Sequence, residues 1–204
     1  MPLAHLNSAD DFRRAFLAGE DRPVAAEEGL PHRLTPAAVL VPVVDRPEGL
    51  TLLLTLRAAH LHDHAGQVSF PGGRAEAGET AEQTALREAE EEIGLSAGPV
   101  EILGRLPEYH TVTGFAITPV VALVVPPFTL ALDDFEVAEA FEPPLSFLLD
   151  AANHERHEVM YHGNLRCYWA MPWREYHIWG ATAGIIVNLA RRLGNALPPQ
   201  GRMG

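Results

Sequence analysis

One run of acid constrains this chain more than any other feature. Residues 87–92 read Arg87-Glu88-Ala89-Glu90-Glu91-Glu92, and the surrounding stretch from Ala81 to Ile93 contains neither glycine nor proline. Such a stretch supports a helix. Thr80 offers an N-cap hydroxyl to the free amides of the first turn. Gln83 completes a capping-box pattern, and Gly94 supplies the C-terminal stop. At about 100° per residue, Glu88, Glu91 and Glu92 share one face, with Ala85, Leu86, Ala89 and Ile93 on an apolar face beside it. Like charges at that spacing repel by a few tenths of a kcal/mol per pair. Either the face is simply solvated, or it holds a cation. Carboxylate oxygens with no His or Cys among them suit a hard ion, Mg²⁺ or Mn²⁺. The helix alone leaves both readings open.

Composition narrows the setting. A chain of 204 residues with 47% hydrophobic content suits one domain with a sizeable core. A net charge of −12 argues against binding nucleic acid, which needs Lys and Arg on phosphates. An anionic small-molecule substrate stays compatible if a metal inverts the local field. Cys167 stands alone, so no intrachain disulfide forms; a buried apolar role in a strand is expected for it. No apolar run reaches membrane-spanning length, and the first dozen residues lack a basic region followed by an apolar core. The expected location is the cytoplasm. Nothing sets the oligomeric state, and a homodimer stays open.

In chain order, Ser8 caps a helix to about Leu17, and Gly19 to Thr35 reads as a connecting arm. Ala37–Val44 and Leu50–Leu56 form a hairpin about the turn Arg46-Pro47-Glu48-Gly49; Pro42 marks an edge or a bulge. Phe70-Pro71-Gly72-Gly73 is a strand entering a sharp turn, where Gly72 and Gly73 let the backbone approach a metal or phosphates. Arg57 and Arg74 are local positive charges suited to substrate phosphates. Alternating His60, His62 and His64 fit no zinc-site spacing. Strands follow at Val100–Leu106, Phe115–Val125 and Val137–Phe141, then a helical turn after Pro143-Pro144. A hairpin joins Glu155–Tyr161 to Leu165–Met171. The final helix, Trp179–Leu193, carries Ile185, Ile186, Leu189 and Leu193 on one face, and the tail from Gly194 reads as loose.

The spacing Gly73-x(5)-Glu79-x(7)-Arg87-Glu88-Ala89-x-Glu91-Glu92-x-Gly94-Leu95 resembles the Nudix box, with only Ala89 smaller than the usual aliphatic residue. Leu53-Leu54-Thr55-x-Arg57-Ala58, Gly66 and Phe70-Pro71-Gly72-Gly73 resemble the additional motif of the coenzyme A pyrophosphatase subfamily. His62 stands where that motif has its second Arg; an imidazole donates to phosphate best when protonated. TVTGFAITPVV, EVAEAFEPPLSFLLD and YHIWGATAGIIVNL extend the likeness over most of the chain from Ala37 to Leu193.

The resemblance implies an α/β/α sandwich with a mixed sheet and a catalytic loop–helix–loop. It implies metal held by Glu88, Glu91, Glu92 and the Gly73 carbonyl, with Glu79 in the outer shell or idle in its loop. Arg87 would orient a glutamate, and Glu88 would be ligand or water-activating base. Glu139 is a second-rank base candidate against the plainer reading of a strand carboxylate. Tyr109, Phe115 and Trp179 are candidate pocket aromatics, each with a core role as the plainer reading. The expected reaction is hydrolysis of coenzyme A or a thioester to 3′,5′-ADP and 4′-phosphopantetheine or its acyl form. The alternatives are another nucleoside diphosphate derivative (ADP-ribose, a dinucleotide or a modified nucleoside triphosphate) and a Nudix-fold binding module without turnover.

Overall fold

The computed structural model describes residues 6, 8–23, 33–61, 64–161 and 164–194. His62, the middle of the expected arm, the tip of the last hairpin and the tail beyond Gly194 lie outside the described residues.

The centre is a pair of long parallel strands, β1 (Thr35–Arg46) and β8 (Phe115–Val124), in register from Thr35↔Phe115 to Val44↔Val124. Alternation along both strands feeds two separate cores. Ala38, Leu40 and Val44 with Val120, Ala122 and Val124 face helix α2 (Ala81–Ile93). Val41 and Val43 with Val121 and Leu123 face the other way, toward α1 (Ala9–Ala18) and α4 (Gly180–Arg192). Helices on both faces of a mixed sheet make the expected α/β/α sandwich.

Short strands line both outer sides of this pair. Beside β1 lie β2 (Gly49–Leu52) and β5 (Gly72–Arg74), both antiparallel to it. Beside β8 lie β6 (Val100–Arg105) and β7 (Tyr109–His110), also antiparallel. The expected edge or bulge at Pro42 is corrected here: Pro42 is interior, between β8 and the β2/β5 side. Its missing N–H falls where β5 gives way to β2, and its carbonyl accepts from Leu53 N at 3.0 Å. Pro119 marks the matching junction between β7 and β6, its carbonyl accepting from Leu106 N at 3.0 Å.

The expected strand Leu50–Leu56 is two. The chain leaves the central sheet at Leu53, whose side chain is buried in the core under α2, and continues as β3 (Leu54–Arg57). β3 pairs with β9 (Val137–Phe141) and β4 (Val68–Ser69) in a second sheet. A third sheet holds β10 (Glu155–Tyr161), β11 (Asn164–Trp173) and β12 (Tyr176–Trp179). β12 has no counterpart in the sequence reading, which began the last helix at Trp179. Cys167 also departs from expectation: it is half-buried and faces outward, its Sγ accepting from Arg156 at 3.2 Å. α3 (Leu145–Leu149) follows Pro144 and packs on β2 and α4. Among the described residues, no helix is long and apolar enough to cross a membrane.

Candidate active site

Helix α2 forms as its local signals predict. Thr80 Oγ1 accepts from Gln83 N at 3.3 Å, and the Gln83 amide oxygen accepts from Thr80 N at 2.8 Å. Gly94 closes the helix in the left-handed region at φ 67°, which glycine adopts without steric cost. The helix sets its first apolar positions, Ala85, Ala89 and Ile93, into the core, so the acidic face is left beside β5.

The three glutamates of that face have three different environments. Glu92 is buried, 4% exposed, and its carboxylate accepts from Gly72 N at 3.1 Å. The Arg57 guanidinium stands 3.6 Å away. Burial wins over both favourable contacts and pushes the Glu92 carboxyl up to about 7. Glu88 is half-buried; burial raises it too, against the pull of Arg87. Glu91 is the exposed one, its side chain 60% accessible.

Arg87 ties this face to the preceding loop. Its Nε and one terminal nitrogen grip Glu79 at 2.8 and 3.1 Å, and that terminal nitrogen also donates to the Arg74 carbonyl at 3.1 Å. Its other terminal nitrogen donates to Glu88 at 2.8 Å and Glu91 at 3.0 Å. All five N–H groups of the guanidinium therefore have acceptors, and none is spare for a phosphate. Glu79 also accepts from Thr84 Oγ1 at 2.7 Å and Glu76 N at 3.0 Å. The pairing with Arg87 is the main reason its carboxyl is held at about 2. Its oxygens are engaged in closing the loop onto the helix.

Among the described residues, no three His, Cys, Asp or Glu side chains stand together as a ready metal cage; Glu88 and Glu91 turn toward Arg87 instead. The donor set nevertheless fits a hard divalent cation. Every side chain in it is a carboxylate, and the backbone of Gly73 lies directly against Glu88. A Cβ on Gly73 would sit 2.5 Å from the Glu88 carboxylate, so only glycine lets this carboxylate rest on the loop.

Other sequence candidates divide. Arg57 comes against Glu92, with its Nε buried and lacking a hydrogen-bond partner. Arg74 is exposed, its guanidinium 5.4 Å from the centre of the Phe115 ring. Glu139 is exposed on β9 and accepts from Tyr176 Oη at 2.6 Å, which pushes the Tyr176 hydroxyl up to about 12. The three aromatics are scattered: Tyr109 is buried against α4, Phe115 lies under Arg74, and Trp179 packs edge-on to Tyr168 at 5.6 Å in the third sheet. Glu136 escaped the sequence reading. Its charge is felt by both Glu88 and Glu92 and raises both carboxyls. It opens the stretch EVAEAFEPPLSFLLD, but no spacing ties it to the glutamates; the pairing of β3 with β9, and Ala58 N donating to the Glu136 carbonyl at 2.9 Å, bring it there.

Chemically, the site offers an acidic face of all-oxygen side-chain donors beside the glycines of β5, with two arginines, Arg57 and Arg87, set against its carboxylates. A family model described as NUDIX domain matches residues 34–162. The uncharacterized Nudix hydrolase NudL of Escherichia coli (strain K12) is 41% identical over 186 residues, spanning 91% of this chain and 94% of its own. Among solved structures, the Nudix hydrolase RenU from M. smegmatis is similar with a TM-score of 0.48 and 28% identity, over 54% of this chain and 71% of that one. A MutT/nudix family protein from Enterococcus faecalis is similar at 0.49 and 16%, over 90% and 68%.

Proposed function

This chain belongs to the Nudix family, and from that premise we propose that it hydrolyses the diphosphate bond of coenzyme A or its thioesters, with Mg²⁺ or Mn²⁺ and in the cytoplasm. Membership makes it a hydrolase of a nucleoside diphosphate derivative. The finer reading rests on one observation: the residues of the coenzyme A motif and those of the Nudix box meet at one carboxylate. Arg57 and Gly72 come from the first, Glu92 from the second, and the three are in contact.

Glu88, Glu91 and Glu92 with the Gly73 carbonyl would hold the metal, which supplies charge neutralisation and a lowered pKa for bound water. The remaining work falls to the chain itself. Arg87 spends its donors on fixing Glu79, Glu88 and Glu91, so it positions carboxylates and leaves phosphate contact to Arg57 and Arg74. Glu88, half-buried with a raised pKa, is our first candidate to take the proton of the attacking water; Glu139 is the second. Water adds to one phosphorus, the bridging P–O bond breaks, and 3′,5′-ADP and 4′-phosphopantetheine leave.

His62 at the expected Arg position favours one competing reading, a different nucleoside diphosphate derivative. Product analysis with Mg²⁺ separates them, with coenzyme A, dephospho-coenzyme A, ADP-ribose and NADH at equal concentration. Release of 3′,5′-ADP from coenzyme A, with much slower cleavage of dephospho-coenzyme A, is the expected result. Equal or faster cleavage of ADP-ribose or NADH would overturn the subfamily assignment and leave the Nudix chemistry standing.

A further inference from the structure

The most exposed large apolar side chain among the described residues is Phe135, at 67%. It sits in the connection between β8 and β9, in the turn at residues 134–136. An aromatic ring that open on a tightly built turn has no packing role of its own.

The turn is fixed to the catalytic helix. Ala131 N donates to the Ile93 carbonyl at 2.9 Å, and Asp133 N donates to the carbonyl of Glu92 itself at 2.9 Å. The Asp133 carboxylate then accepts from Phe135 N at 2.9 Å, and its carbonyl accepts from Glu136 N and Val137 N at 2.9 and 2.8 Å. Backbone bonds therefore set the ring's position relative to Glu92. On its other side is His60, whose ring centre lies 5.0 Å from that of Phe135 at 59°. His60 follows Arg57 by three residues, and Ala58 N bonds the Glu136 carbonyl, so the two loops are joined. The ring pair therefore follows Arg57, which faces Glu92, along one segment and adjoins Glu136, whose charge acts on Glu88 and Glu92, along the other.

We propose that Phe135, backed by His60, is the platform on which the nucleobase of the substrate stacks. The inference rests on the reading of the protein as a nucleoside diphosphate hydrolase. A flat, solvent-facing π surface suits a flat ring, and stacking is tolerant of which base is presented. Every substrate class considered above carries a nucleobase, so the platform would serve any of them.

Calorimetric titration of the wild type, Phe135→Ala and Phe135→Trp with ADP and with inorganic pyrophosphate, Mg²⁺ present, tests this directly. Phe135→Ala should weaken ADP about tenfold and leave pyrophosphate within about twofold, while Phe135→Trp retains ADP affinity. With a cleaved substrate, KM should rise by a similar factor and kcat should hold. Equal losses for both ligands, or no loss for either, would overturn the platform. So would a wild type that binds ADP no more tightly than pyrophosphate. Failure of the functional reading looks different: no nucleoside diphosphate derivative is hydrolysed, yet ADP binding still depends on Phe135.

Discussion

Helices α2 and α4 are each thirteen residues long and lie on opposite faces of the β1–β8 pair, yet they are held in opposite ways. α2 carries its own start and stop, a capping box at Thr80 and a left-handed Gly94. Most of its surface is charged, and five residues are buried. α4 has no side-chain cap at its N-terminus, and all nine residues from Thr182 to Ala190 are buried. One apolar face was expected for it; instead it is enclosed by α3, β7, β11 and β12. Gly184 even lies where a Cβ would be 2.4 Å from the Tyr109 ring. The lesson is a division of labour. A helix that must display acid is stabilised by local hydrogen bonds, and a helix that must fill a core is stabilised by its surroundings.

The sharpest way to break that comparison is Glu91→Gln. Hydrolysis should fall on the order of 10³-fold while the melting temperature stays put, because this side chain is exposed. A parallel loss of stability would mean the acidic face is structural after all. Ile186→Ala on α4 should do the reverse. Its side chain is fully buried, so chemical denaturation should show a loss of roughly 3–4 kcal/mol, with kcat of the folded fraction unchanged. Thr80→Ala should cost about 1 kcal/mol by the same measurement, the value of a cap, and Thr80→Ser should recover most of it.

The smallest effect is in pH. His154, beside α3, donates to the Leu148 carbonyl at 2.7 Å, and burial holds its imidazole below the ordinary value. Folding thus favours the neutral ring, a contribution present above about pH 6.5 and lost as pH falls through the lowered value. The stability advantage of wild type over His154→Gln should shrink between pH 7.5 and 5. A constant difference would show that folding does not lower the imidazole's pKa.

These helices also mark how far the sequence could be read. α2 was legible because its signals, Thr80, Gln83, Gly94 and the i, i+3, i+4 glutamates, act within a few residues. What periodicity cannot supply is depth. It puts Glu91 and Glu92 on one face, and only the packing of β5 and β3 makes one exposed and the other buried. Arg87 was expected to orient one glutamate, and it engages three, since Glu79 arrives through the loop. Glu136 had no spacing that tied it to the glutamates; the pairing of β3 with β9 brings it to the site. β12 was missed for the same reason: Tyr176-His177-Ile178-Trp179 becomes a strand by pairing with β11. Leu50–Leu56 reads as continuous until the tertiary fold demands that Leu53 change sheets.

Pro42 has a consequence for the site that is mechanical in kind. β5, which carries Gly72 and Gly73, is only three residues long and runs along β1 through Ala37, Ala38 and Val39. A ribbon so short, held by so few bonds, would ordinarily be free to creep along its neighbour. The absent N–H at Pro42 removes the next rung, and β2 occupies the track beyond it from Val43. The glycine strand therefore has one stop along its rail, and a single step in either direction would take Gly73 out of its place against the Glu88 carboxylate.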